Sequence, residues 1–116
     1  MSAIIYHMCP QEAWAAAVAA GRYDGTQDDR RDGFIHFSTA AQLRESARRH
    51  RAGQAGLVLV AVEAGRLGER LRWETSRGGA LFPHLYGTLS PDEVSEVTPL
   101  RLGPDGEHAF PPLRHG

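Results

Sequence analysis

The chain has 116 residues, 41% hydrophobic and 23% charged, which is enough for one independent core and too apolar for wholesale disorder. Its 13 basic residues, all arginine, face 14 acidic ones, so general nucleic-acid binding through phosphate neutralisation is not expected. The absence of lysine also excludes a lysine nucleophile, a Schiff base and a P-loop lysine.

Residues 3–8 contain Ile4, Ile5 and Tyr6 and predict a first strand ending near His7. The opening residues carry no basic segment and no long apolar stretch, so no secretory signal is read and a cytoplasmic protein is expected. Cys9 is the only cysteine, which rules out an intrachain disulfide and a multi-cysteine metal site; a buried thiol is expected. Pro10 suits a first helical position, and the alanine-rich residues 11–20 predict a helix with Trp14, Val18 and Ala17 on its buried face. Gly21 is a natural stop. Residues 22–33 are polar, with Asp24-Gly25 and Asp32-Gly33 as turn signals, and read as a loop.

Residues 33–37 predict a second strand, after which Ser38 or Thr39 caps a helix to about Arg51 with Leu43 and Ala47 on one face. The apolar run 57–62 is far short of the ~20 residues of a membrane span. Rich in β-branched residues, it predicts a central strand buried on both faces. A short strand or extended turn follows at 71–75, with Trp73 as a core indole beside a surface Glu74. Arg77-Gly78-Gly79 reads as a loop too short to cradle phosphate. Strands are predicted at 83–87 and 94–102, joined through Ser90-Pro91-Asp92, with an irregular tail from Gly103. The expected fold is a single α+β domain over 1–116, with a mostly antiparallel, split sheet and two helices in the N-terminal half.

Six histidines are many for this length. His50, His108 and His115 read as solvated surface, whereas His7, His36 and His84 sit in strand-like segments near element ends. There they can converge on a cleft, where a ring titrating near neutrality suits acid–base work or ribose and phosphate contacts. Ser38 and Thr39 can cap a helix or hold a ligand hydroxyl or phosphate at its N-terminus. Glu74 in a cleft can act as a base. Three imidazoles also suit zinc, but their placement has no ligand-spacing signature, so no metal is assigned.

The segments Ile5-Tyr6-His7, residues 32–39 (Asp-Gly-Phe-Ile-His-Phe-Ser-Thr), Trp73-Glu74 and residues 82–87 (Phe-Pro-His-Leu-Tyr-Gly) together resemble the small bacterial domain-of-unknown-function family numbered 952. The resemblance runs over nearly the whole chain and implies, more remotely, an ADP-ribosyltransferase-like fold with a split sheet around an NAD cleft. It implies that His7 contacts a cofactor ribose and that Phe37-Ser38-Thr39 leads into a helix that follows the second strand. The late strand of those transferases carries a catalytic glutamate, and His84 stands at that place here.

The resulting expectation is a histidine-lined cleft for a nucleotide-like or phosphate-bearing small molecule. His84 and Glu74 are the candidate catalytic residues, and His7, His36, Ser38, Thr39 and Tyr86 the candidate ligand-binding ones. NAD is the cofactor the resemblance suggests. A non-catalytic ligand-binding or interaction module and a histidine-ligated metal protein are the alternatives. Substrate, acceptor and oligomeric state are not legible.

Overall fold

The computed structural model describes residues 3–115, with Arg77 described by its backbone alone. The reading made at Met1-Ser2 lies outside the described residues. The elements are β1 (Ile4–Pro10), α1 (Gln11–Ala20), α2 (Gln27–Asp32), β2 (Ile35–His36), β3 (Ser38–Thr39), α3 (Ala40–His50), β4 (Leu57–Glu63), β5 (Leu71–Thr75), β6 (Leu81–Leu85), β7 (Glu96–Leu102) and β8 (His108–Ala109). Every named strand pairing is antiparallel. The fold is α+β, and its strands form a five-stranded sheet in the order β3-β1-β4-β7-β8 and a three-stranded sheet in the order β2-β6-β5.

β4 lies between β1 and β7, and its apolar run is buried on both faces as its composition predicts. Side-chain alternation divides the core. Ile5, Cys9, Val58, Val60 and Val62 face one way, against Trp14 and Ala17 of α1 and Ile35 and Leu85 of the smaller sheet. Ile4, Tyr6, Met8, Leu57, Leu59 and Ala61 face the other way, against Ala40, Leu43 and Ala47 of α3. Phe110 and Leu113 of the tail cover this second cluster.

Six expectations change. Pro10 ends β1 and stands just before α1 instead of opening it, with an extended ψ of 140°. Val18 is 54% exposed, so the buried stripe of α1 is Trp14 and Ala17. Residues 22–33 are not all loop. α2 forms there because Thr26 and Asp29 make a capping box: the Asp29 N–H donates to the Thr26 hydroxyl (3.2 Å) and the Thr26 N–H to Asp29 Oδ2 (2.7 Å). The N-terminal half therefore has three helices, not two. α2 has no apolar stripe for periodicity to detect; its buried residue is a carboxylate. Trp73 is 42% exposed because β5 is an edge strand of the smaller sheet.

The predicted second strand is broken in two. Ile35 and His36 pair with β6, whereas Ser38 and Thr39 pair with β1. Between them the Phe37 N–H donates to the Pro83 carbonyl (3.0 Å), so the chain crosses from one sheet to the other at a single residue. Thr39 caps α3 in a reciprocal box with Gln42. The tail is not wholly irregular, because His108 and Ala109 pair with β7.

Candidate functional site

The crossing at Phe37 places β1, β2, β3 and β6 around one seam, where a cleft of about 290 Å³ opens. His7, His36, Ser38 and His84 all line it, with Asp29, Arg31, Asp32 and Arg51. His36 and His84 are direct cross-strand partners and so project from the same sheet face, with ring centroids 5.7 Å apart. Phe34 stacks on His84 at 4.0 Å, with 24° between the ring planes.

His84 is held from behind. Its Nδ1–H donates to Glu74 Oε1 on β5 (2.8 Å), and the Tyr86 hydroxyl donates to the same oxygen (2.7 Å). These two hydrogen bonds, from His84 first and Tyr86 second, keep the Glu74 carboxyl below the ordinary value of 4.5. Glu74 in turn pushes the Tyr86 phenol up. Nδ1 is thus committed to Glu74, and Nε2 is the ring nitrogen this carboxylate does not hold.

His7 is differently placed. Its Nδ1 lies 2.7 Å from the His36 carbonyl, which can only accept, so Nδ1 carries the proton. Nε2 then accepts from the Tyr23 hydroxyl (2.6 Å). Burial lowers the His7 pKa from 6.5, against the opposing pull of Asp29, and both hydrogen bonds suit the neutral ring. Burial likewise raises the Tyr23 phenol and holds the neighbouring Cys9 thiol up at about 11, so Cys9 stays protonated. Both ring nitrogens of His7 thus have protein partners, and the residue shapes the inner wall of the cleft.

Asp29 organises the other side. Oδ1 accepts from His36 Nδ1 (2.5 Å) and from the His36 backbone N–H (3.1 Å), while Oδ2 accepts from the Thr26 N–H and lies 3.7 Å from His7 Nε2. Burial alone would raise its pKa, but the His36 hydrogen bond first, and the Thr26 and His36 backbone donors, hold it at about 2. Gly25 allows this packing: a Cβ there would meet Asp29 Cβ at 2.7 Å.

The buried neutral His7 has a pH consequence. Below its ordinary value of 6.5 the unfolded chain takes up a proton that the folded chain resists. Its contribution to stability is complete above about pH 6.5 and falls as the pH drops below that value, by at most about 1.4 kcal/mol per pH unit. Urea denaturation at about pH 7.5 and about pH 5.5 should show the loss, and His7→Gln should shrink it by about 1 kcal/mol. An unchanged difference in that variant would mean that His7 is not the group responsible.

The predicted residues are therefore partly gathered. His7, His36, Ser38 and His84 share the cleft, and Glu74 and Tyr86 stand behind His84. The Ser38 hydroxyl donates to Ser46 (2.9 Å), and Thr39 is used as a cap and lies outside the lining. Asp29, Tyr23 and Arg51 were not singled out in the sequence. Asp29 had a signal, the Thr26-Gln27-Asp28-Asp29 capping spacing; Tyr23 and Arg51 had none. The ring nitrogens leave little for a metal: His7 and His36 use both and His84 one. Among the described residues no group of three or more His, Cys, Asp or Glu is placed to hold an ion.

Two antiparallel sheets meet at a seam lined by His7, His36 and His84 in this small α+β protein. The family described as "Protein of unknown function (DUF952)" matches residues 8–97, and the chain belongs to it. It is similar to the crystal structure of protein CC0527 from Caulobacter crescentus, with 49% identity and a TM-score of 0.88 over 91% of this chain and 93% of that one. The solution NMR structure of CC0527 is similar at 50% identity, with a TM-score of 0.81 and 90% of each chain covered. No curated protein matches the chain. Among the described residues no helix is long and apolar enough to cross a membrane.

Proposed function

We propose that the cleft binds a nucleotide-like, phosphate-bearing ligand and that His84, held by Glu74, exchanges a proton with it. The observation that carries this reading is the carboxylate-held imidazole of His84 sharing one cleft with the Arg51 guanidinium. Arg51 forms no ion pair among the described residues, and its charge reaches the His7 ring. A cation without a carboxylate partner on a cleft wall favours an anion, and an imidazole with one fixed tautomer favours a hydroxyl. At about 290 Å³ the cleft suits one nucleotide-sized group, with the rest of a dinucleotide outside it.

The resemblance to ADP-ribosyltransferases supplies the chemistry. The ligand is NAD or an ADP-ribose-like compound, and Glu74 on β5 provides the carboxylate where the late strand itself carries His84. In transfer, an acceptor hydroxyl gives its proton to His84 Nε2 and its oxygen bonds the anomeric carbon. Nicotinamide leaves with the electron pair of the broken glycosidic bond. Glu74 stabilises the positive charge that develops on His84 as it takes the proton.

Thermal unfolding with NAD and with ADP-ribose tests the reading. Ligand at 100 times its dissociation constant adds about 2.7 kcal/mol, a clear rise in Tm, and Arg51→Ala should remove most of it. A rise without nicotinamide release identifies a binding module. No rise with NAD, ADP-ribose or phosphorylated RNA ends would remove the nucleotide reading.

A further inference from the structure

We propose that a second anionic group of the ligand, beside the one at Arg51, is taken between His36 Nε2 and Arg31, and that the Asp32 carboxylate is an internal competitor filling that place. The inference rests on the reading that the cleft takes a phosphate-bearing ligand. It begins from the unequal way the two carboxylates hold His36. Asp29 is 3% exposed and accepts hydrogen bonds from His36 Nδ1, the His36 N–H and the Thr26 N–H, so it fixes the ring. Asp32 reaches the opposite nitrogen, with Oδ2 3.1 Å from Nε2, and its side chain is 35% exposed.

The other oxygen of Asp32, Oδ1, lies 3.1 Å from Arg31 Nε. One carboxylate thus bridges an imidazole and a guanidinium, using one oxygen on each. A phosphate presents two oxygens in the same manner and carries more charge. His36 and Arg31 both line the cleft, as do Asp28 and Asp32. Asp32 is the last residue of α2, where its charge adds to the partial negative charge of the helix end. The exchange needs the exposed Asp32 side chain to turn away and frees Arg31 Nε, while Arg31 keeps its second contact, from Nη1 to Asp28 Oδ1 (3.4 Å), and Asp29 keeps His36 in place. A phosphate on His36 then sets the adjoining part of the ligand beside His84, its cross-strand neighbour.

Removing a negative charge next to the bound anion should strengthen binding, which is the reverse of losing a ligand contact. Isothermal titration of the full chain with inorganic pyrophosphate and with ADP-ribose tests this, comparing the parent with Asp32→Asn. Affinity for both probes should rise about fivefold, the scale of a partly exposed charge contact. Asp105→Asn, on the remote β7–β8 turn, should leave affinity unchanged, separating local competition from net charge. His36→Gln added to Asp32→Asn should abolish the gain. Unchanged or weaker pyrophosphate binding in Asp32→Asn overturns the proposal, as does a gain that survives His36→Gln or also occurs in Asp105→Asn. A gain for pyrophosphate without any binding of ADP-ribose keeps the anion site and removes the nucleotide reading.

Discussion

Replacing Asp29 by Ala should destabilise the protein by about 3–4 kcal/mol, the cost of removing one partner from a buried, hydrogen-bonded charge cluster. The variant loses the acceptor for the Thr26 N–H, the His36 N–H and His36 Nδ1 together. The capping box of α2 disappears with it, and His36 loses the bond that sets its ring. Asp29→Asn should cost roughly half as much, because the amide still offers one oxygen but turns a donor toward groups that need an acceptor. With a folded pKa of about 2 against an ordinary 3.8, the Asp29 contribution is complete above about pH 4 and is lost as the pH falls toward 2. Urea denaturation near pH 7 therefore reads its full value. A loss below about 1 kcal/mol in Asp29→Ala would show that the cluster does not depend on this carboxylate.

The second large effect is on chemistry. If NAD is turned over, His84→Ala should lower nicotinamide release by about 10²–10⁴-fold, the usual contribution of a positioned acid–base group. Binding of ADP-ribose should change little, because the proposed anion contacts lie elsewhere in the cleft. Glu74→Gln should cost less, since the amide oxygen still accepts the His84 Nδ1–H but no longer stabilises the imidazolium formed when Nε2 takes a proton. The His84→Ala chain should remain folded, with the Phe34 stacking lost at about 1 kcal/mol. Equal losses of binding and turnover would make His84 a ligand-holding residue and move proton transfer to another group.

Local signals were sufficient for much of the fold. The alanine-rich run made α1, the positive-φ Gly21 ended it, Thr39 with Gln42 opened α3, and the β-branched run became the central strand β4. Each depends on residues within a turn or two of one another, which is the range over which capping and periodicity act. α2 escaped because a helix whose buried residue is Asp29 has no apolar period, and Trp73 was misplaced because edge position is a property of the sheet. The histidines were visible as candidates, but their roles were not. His7, His36 and His84 are all strand histidines in sequence. Only the crossing of the chain at Phe37, from β6 to β1, makes one a buried neutral ring, one a bridge between two carboxylates, and one an imidazole with a single nitrogen left for a ligand. Those differences come from partners 4 to 29 residues away, and apart from the Asp32–His36 contact at i,i+4 no local spacing encodes them.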